Sequence, residues 1–210
     1  MFASPVQQTL PEMTRSRSPK REICEVPPLE AWTVAGLAGS PGEVQTAAIS
    51  YKNGPVQLTM KNVFSPFEPS SMDGSVHRQT ITLRMNKFWE GILRDLEQSL
   101  VQRVSTESAK ILGCDLTAEE VLQMYRSCTR KRGEYPMNIR AKINQTGMLA
   151  TRYWSAGGDR QDAPATHAGK YFNAVLTIRA LWRGEDAWGV VCDCTDLQEA
   201  QSGDDVACPF

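Results

Sequence analysis

The chain is poor in the side chains that most enzymes use. It holds two histidines, His77 and His167, each in a polar stretch. It has no Gly-x-Ser-x-Gly, no Gly-rich loop closed by Gly-Lys, no His-Glu-x-x-His and no Gly-x-Gly-x-x-Gly. Six cysteines in 210 residues do not make a secreted disulfide framework. Cys192 and Cys194 are the closest pair, and strand alternation puts both on one apolar face. A second pair at metal-ligand spacing is missing, so they read as buried thiols, with no metal and no cofactor expected. No apolar run approaches the ~18–20 residues that a membrane span needs. Met1 to Leu10 has neither a charged start nor an apolar core, so an intracellular setting is expected.

Basic residues are also missing from the end of the chain, and this absence changes the reading of the charge. The formal net charge is −1, from 23 Lys+Arg and 24 Asp+Glu, which taken alone argues against a polyanion as partner. Residues 1–125 carry 12 basic and 14 acidic side chains, residues 126–183 carry 11 and 3, and residues 184–210 carry none and 7. A basic region is therefore followed directly by an acidic end. Such a region attracts phosphates by releasing their counterions. The plainer reading is a solvated basic face with an ordinary acidic tail.

Three regions follow from the patterning. Residues 1–43 read as a disordered N-terminal segment, holding six of the 12 prolines and no sustained periodicity. Within them Arg15-Ser16-Arg17-Ser18-Pro19-Lys20-Arg21 reads as a solvated linker, or as a nuclear-import or phosphorylation segment. Trp32 is suited to docking on a folded domain. Residues 44–198 read as that domain, and residues 199–210 as an acidic C-terminal tail. In the domain, strands are expected at Val44–Tyr51 and Val56–Met60, with Val63 to Phe67 as a packed loop. Arg78 to Met85 alternates, with Arg78, Thr80, Thr82 and Arg84 on the wet side. A helix follows, with Phe88, Ile92, Leu96 and Leu100 spaced by four and joined by Trp89, Leu93 and Val104. Thr117 and Glu120 then have the spacing of a capping box, with Leu116 and Val121 as its staple.

Strands return after the helices. Asn138–Asn144 and Met148–Trp154 are expected to form a hairpin through Gln145-Thr146-Gly147. Tyr171–Arg183 places Phe172, Ala174, Leu176, Ile178, Ala180 and Trp182 on one side, and Ala187–Thr195 turns Trp188, Val190, Cys192 and Cys194 inward. Asp193 and Asp196 are expected in solvent. The order is mainly β with a helical insertion, and it predicts an OB-like antiparallel β-barrel.

Adjacent strands of that barrel mix cations with aromatics: Arg140 and Lys142; Arg152, Tyr153 and Trp154; Lys170 and Tyr171; Arg179 and Arg183. Arg130, Lys131 and Arg132 add a basic rim at a helix end. Single-stranded nucleic acid is bound by this combination, because cations track phosphates and flat rings stack unpaired bases. Tyr153 and Tyr171 are expected to be exposed, while Trp154 is balanced between the core and the surface. A weaker alternative is an enzyme site in the loop carrying Asp159, Asp162 and His167.

Some stretches resemble a known family. The tip Asp204-Asp205 followed by Pro209-Phe210 resembles the tail of bacterial single-stranded-DNA-binding proteins. The domain resembles the OB-fold binders of phages and of large nucleocytoplasmic DNA viruses. The similar stretches are Tyr51-Lys52-Asn53-Gly54-Pro55-Val56 with Phe64-Ser65-Pro66-Phe67; Leu116 to Tyr125; Tyr135 to Ile143; and Leu181-Trp182 with Trp188-Gly189-Val190 and Leu197-Gln198. This resemblance implies a non-enzymatic protein that binds and protects single-stranded DNA in replication, recombination or repair. It also implies that Asp204, Asp205, Pro209 and Phe210 dock replication or repair partners or compete for the groove. The Arg/Ser segment lies outside the family pattern and points to the nucleus; a homodimer is a candidate assembly. The alternative is a β-barrel interaction module for RNA or an acidic protein.

Overall fold

Alternation of apolar and polar residues is what a strand with one buried face requires, and it produces the central strands here. The structure is a computed structural model that describes residues 28–40, 42–71, 74–75 and 77–200. Its strands are β1 (Thr33–Val34), β2 (Gln45–Ser50), β3 (Val56–Ser65) and β4 (Arg78–Arg84). Three helices follow: α1 (Lys87–Thr106), α2 (Ser108–Ile111) and α3 (Ala118–Met124). Then come β5 (Tyr125–Arg126), β6 (Thr129–Arg130), β7 (Asn138–Asn144), β8 (Arg152–Trp154), β9 (Arg160–Gln161), β10 (Lys170–Arg183) and β11 (Trp188–Glu199).

The pairings return on themselves. β10 pairs with β3, β3 with β4, β4 with β7, β7 with β11, and β11 with β10. The sheet is mixed rather than purely antiparallel, because β5, β7 and β8 all run parallel to β11. Inside the circuit lie Leu58, Met60, Ile81, Leu83, Ile139, Ile143, Phe172 and Leu176, all nearly free of solvent. The helical insertion packs Trp89, Leu93, Leu100 and Val104 inward. Phe88 stands 43% exposed and Ile92 and Leu96 are half-buried, so of the Phe88 series only Leu100 is fully packed inward, and Trp89, Leu93 and Val104 make up the rest of the buried stripe. The capping box of α3 forms as the spacing requires, with Thr117 N–H donating to Glu120 at 2.8 Å and Glu120 N–H to the Thr117 hydroxyl at 3.3 Å.

Four expectations are corrected. Leu29, Trp32 and Val34 belong to the core and β1 pairs with β2, so the folded unit already includes Leu29 to Val34. The expected disorder of residues 1–27 and the acidic tail over 201–210 lie outside the described residues. Val63 to Ser65 is strand, not loop: Asn62 takes a left-handed φ of 52°, and the register shift there keeps Val63 and Ser65 buried with Phe64 outward. Met148–Trp154 does not form a hairpin with β7; β8 instead pairs with β11 and β9, and Thr151 N–H caps the Asn144 carbonyl at 2.8 Å. Finally, the bulge of β10 between Ile178 and Ala180 turns Leu181 fully inward and leaves Trp182 half-buried, and Val190 is half-buried too.

One glycine is fixed by close approach. A Cβ on Gly189 would lie 2.6 Å from the Arg126 carbonyl and 2.9 Å from Trp182 Nε1. Gly189→Ala must therefore push apart β5 and β11, which are paired at this residue. The expected result is a loss of ~1–3 kcal/mol, the usual cost of overpacking, measured by denaturant unfolding. An unchanged midpoint would show that β5 yields freely.

Candidate nucleic-acid interface

On β4 the cadence Arg78-x-Thr80-x-Thr82-x-Arg84 puts four polar side chains outward, and on β7 Asn138-x-Arg140-x-Lys142-x-Asn144 does the same. The antiparallel register sets Arg78 beside Asn144, Thr80 beside Lys142, Thr82 beside Arg140 and Arg84 beside Asn138. The Lys142 ammonium donates to the Thr80 hydroxyl at 2.9 Å. The row continues to both sides. Phe64 on β3 faces Arg84, Tyr171 on β10 faces Phe64, and Arg130 on β6 faces Asn138. Five strands at about 4.8 Å spacing make this row roughly 19 Å wide.

The contents of the row suit stacking. The rings of Phe64 and Tyr171 lie 5.0 Å apart and tilted by 50°, and the Arg84 guanidinium sits 5.2 Å from the Phe64 ring. Tyr171 is exposed. Arg84, Arg130 and Arg140 make no ion pair with any described residue, so their charge is available. Phe64 and Arg84 belong to this row but not to the cations and aromatics singled out from the sequence. The signal for Arg84 was there, since the Arg/Thr alternation of β4 matches the Arg/Lys alternation of β7.

Other expected ligands of phosphate have partners within the protein. Arg179 Nε donates to Asp193 at 2.6 Å, Arg152 Nη2 to Asp196 at 2.7 Å, and the Lys170 ammonium to Glu199 at 2.8 Å. Lys131 pairs with Glu90, and the Arg183 guanidinium donates to the Leu112 carbonyl at the end of α2. Arg132 is exposed in the turn before β7. Asp193 and Asp196 are not in solvent: they are 0% and 7% exposed, covered by those arginines and by Asn144, whose amide donates to Asp193 at 3.0 Å. The bulge between Val175 and Leu176 puts both carboxylates on the outer side of β11, where cations from β8 and β10 reach them. Cys192 and Cys194 are buried free thiols, as expected, and burial pushes both up in pKa.

The aromatics divide as well. Tyr153 is buried rather than exposed, its ring set edge-on to His167 at 5.7 Å. The parallel pairing of β8 with β11 turns it inward beside Leu197. Trp154 points the other way and is half-buried; its indole N–H donates to Asp196 at 3.0 Å.

His167 is buried too, against the expectation of a polar loop residue, and its ring leans on Phe172. Glu68 holds this loop by accepting from the Thr166 hydroxyl and from the backbone N–H groups of His167 at 3.0 Å and Ala168 at 3.1 Å. The Thr166 hydroxyl first, then those two N–H groups, hold the Glu68 carboxyl down at about 2. Burial pushes the His167 imidazole below its ordinary value, partly offset by Glu68. Both groups favour their deprotonated forms when folded, so the unfolded chain takes up more protons as pH falls. The His167 contribution is whole above the ordinary imidazole value of 6.5 and erodes below it. The Glu68 contribution is whole above the ordinary carboxylate value of 4.5 and is lost as pH falls toward about 2. Thermal unfolding between pH 8 and pH 4 is expected to give a stability that declines only on the acid side. His167→Asn should flatten the upper part of that decline; an unchanged profile would sink the assignment.

No protein-family model and no curated protein matches the chain. Among solved structures, the single-stranded DNA-binding protein from bacteriophage Enc34 in complex with ssDNA is similar, with a TM-score of 0.48 and 12% identity, over 80% of this chain and 96% of that one. A second is gp2.5, a single-stranded DNA binding protein encoded by bacteriophage T7, with a TM-score of 0.45 and 10% identity, over 73% of this chain and 96% of that one.

Proposed function

We propose that this protein binds single-stranded DNA across the outer face of β3, β4 and β7, on an OB-like five-stranded barrel formed by the closed circuit of pairings. The observation that carries the reading is the cross-strand row Tyr171, Phe64, Arg84, Asn138 and Arg130, with Arg140 and Lys142 beside it. Stacked rings next to Arg84, Arg130 and Arg140, which make no ion pair with any described residue, meet both needs of an unpaired strand, its bases and its phosphates. A duplex reader would instead present a helix to the major groove, and here the cations lie on strands. The role is that of a coating protein in replication, recombination or repair, working in the nucleus, with the acidic tip at Asp204 and Asp205 and the terminal Pro209 and Phe210 as its docking or self-competing element.

Titration with a thymidine oligonucleotide at several salt concentrations tests this. Affinity is expected to fall with salt, at a logarithmic slope of about −0.7 per phosphate engaged. Arg84→Ala combined with Arg140→Ala should reduce that slope by about 1.4. Binding indifferent to salt, or stronger binding to duplex, would refute the reading. Tighter binding to RNA would move it to the RNA-binding alternative.

A further inference from the structure

The outer surface carries a second ring-and-cation pair beyond the β3–β4–β7 face. Trp154 on β8 faces Arg160 on β9 in the register, and the Arg160 guanidinium lies 5.5 Å from the centre of the indole ring. The indole is fixed from behind. Its N–H is held by the buried Asp196 carboxylate, which Arg152 also grips from β8. One edge of the ring is thus anchored, and the guanidinium over it comes from an exposed position of β9, at the end of the sheet.

This pair is connected to the first site. Trp154 faces Gln198 on β11, and Gln198 faces Asn173 on β10. The Asn173 amide donates to Gln198 at 3.3 Å, and its oxygen accepts the Asn62 N–H at 3.0 Å. Asn173 lies two residues from Tyr171 on the same side of β10. Two strand spacings and two residues of rise put Trp154 roughly 12 Å from Tyr171 along the surface. The Gln198 and Asn173 amides lie between them.

We propose that Trp154 is a second base-stacking station for the same single strand and that Arg160 is its cover, lying on the ring in the free protein and swinging onto a phosphate when a base takes its place. This rests on the single-strand reading of the first face. Arg160 is poised for the exchange because it has no carboxylate partner among the described residues. An exposed cation holds a ring more weakly than a stacked base does. Exchange therefore gains a stack and a phosphate contact while giving up only the cover.

Intrinsic fluorescence reads the station directly. Of the five tryptophans, Trp32, Trp89 and Trp188 are buried, leaving Trp154 and Trp182 half-buried. A thymidine oligonucleotide is expected to quench the fluorescence of the 210-residue chain. Trp154→Phe should abolish most of that quenching while keeping affinity within about threefold, because a ring is retained. Trp154→Leu should weaken binding about fivefold or more, the low end of a lost base stack. Arg160→Ala removes neither donor to Asp196, and should lower the salt slope by about 0.7. Quenching that survives Trp154→Phe overturns the station. An unchanged slope in Arg160→Ala overturns the exchange. Both outcomes leave the first face standing if Arg84→Ala still weakens binding, whereas no binding by the wild-type chain overturns the first face itself.

Discussion

Replacing Phe64 and Tyr171 together by alanine is expected to weaken single-strand binding by at least ~1–3 kcal/mol, the value of one base stack. At ~1.4 kcal/mol per decade this is roughly 5- to 150-fold. The two rings lie 5.0 Å apart and tilted, so they form one platform and their single effects will not add. The salt slope should not change, because no charge is removed. That separates this variant from Arg84→Ala with Arg140→Ala, which lowers the slope. Tyr171 is exposed and Phe64 half-buried, so circular dichroism and a melting curve check that the fold survives. Full affinity in a folded double variant would remove the stacking role from this face.

Arg179→Ala has the opposite signature. Asp193 is 0% exposed and its charge is met by Arg179 at 2.6 Å, with the Asn144 amide as a second donor. Removing one partner of a buried pair leaves an uncompensated charge and costs ~3–5 kcal/mol. The Arg179 side chain keeps 38% exposure, which puts the expected loss near the lower end, about 3 kcal/mol. For a chain of this size that lowers Tm by roughly 6–12 °C. Adding Asp193→Asn should recover part of the loss, since the orphaned charge is then gone. The salt slope of DNA binding should stay as in wild type. A stable Arg179→Ala protein with a slope lower by about 0.7 would make Arg179 a phosphate ligand after all.

These two expectations divide the basic region into cations that are used up and cations that are free. The charge asymmetry along the chain reads as a single basic groove beside an acidic tail. In the structure much of it cancels locally. Asp193, Asp196 and Glu199 come from the acidic end, yet they neutralise Arg179, Arg152 and Lys170 inside the sheet. Arg84, Arg130 and Arg140 are left without an ion pair to any described residue, and Arg84 belongs to the first part of the chain, where net charge is negative.

What the sequence determined by itself was local. Alternation set the inner and outer sides of β4 and β7, since the side-chain period of a strand is fixed by the backbone. Thr117 and Glu120 set the start of α3, because a capping box closes within four residues. The tertiary structure decided the rest. Periodicity assigns a side chain to a face but does not say which strand lies beside it. The left-handed Asn62 and the bulges of β10 and β11 each shift a strand by one residue, and so turned Phe64 outward and set Asp193 and Asp196 on one side. The parallel run of β8 along β11 buried Tyr153 and placed Trp154 against Asp196. A cation is free or spent according to a carboxylate that is distant in the chain and adjacent in the sheet, and only the register brings the two together.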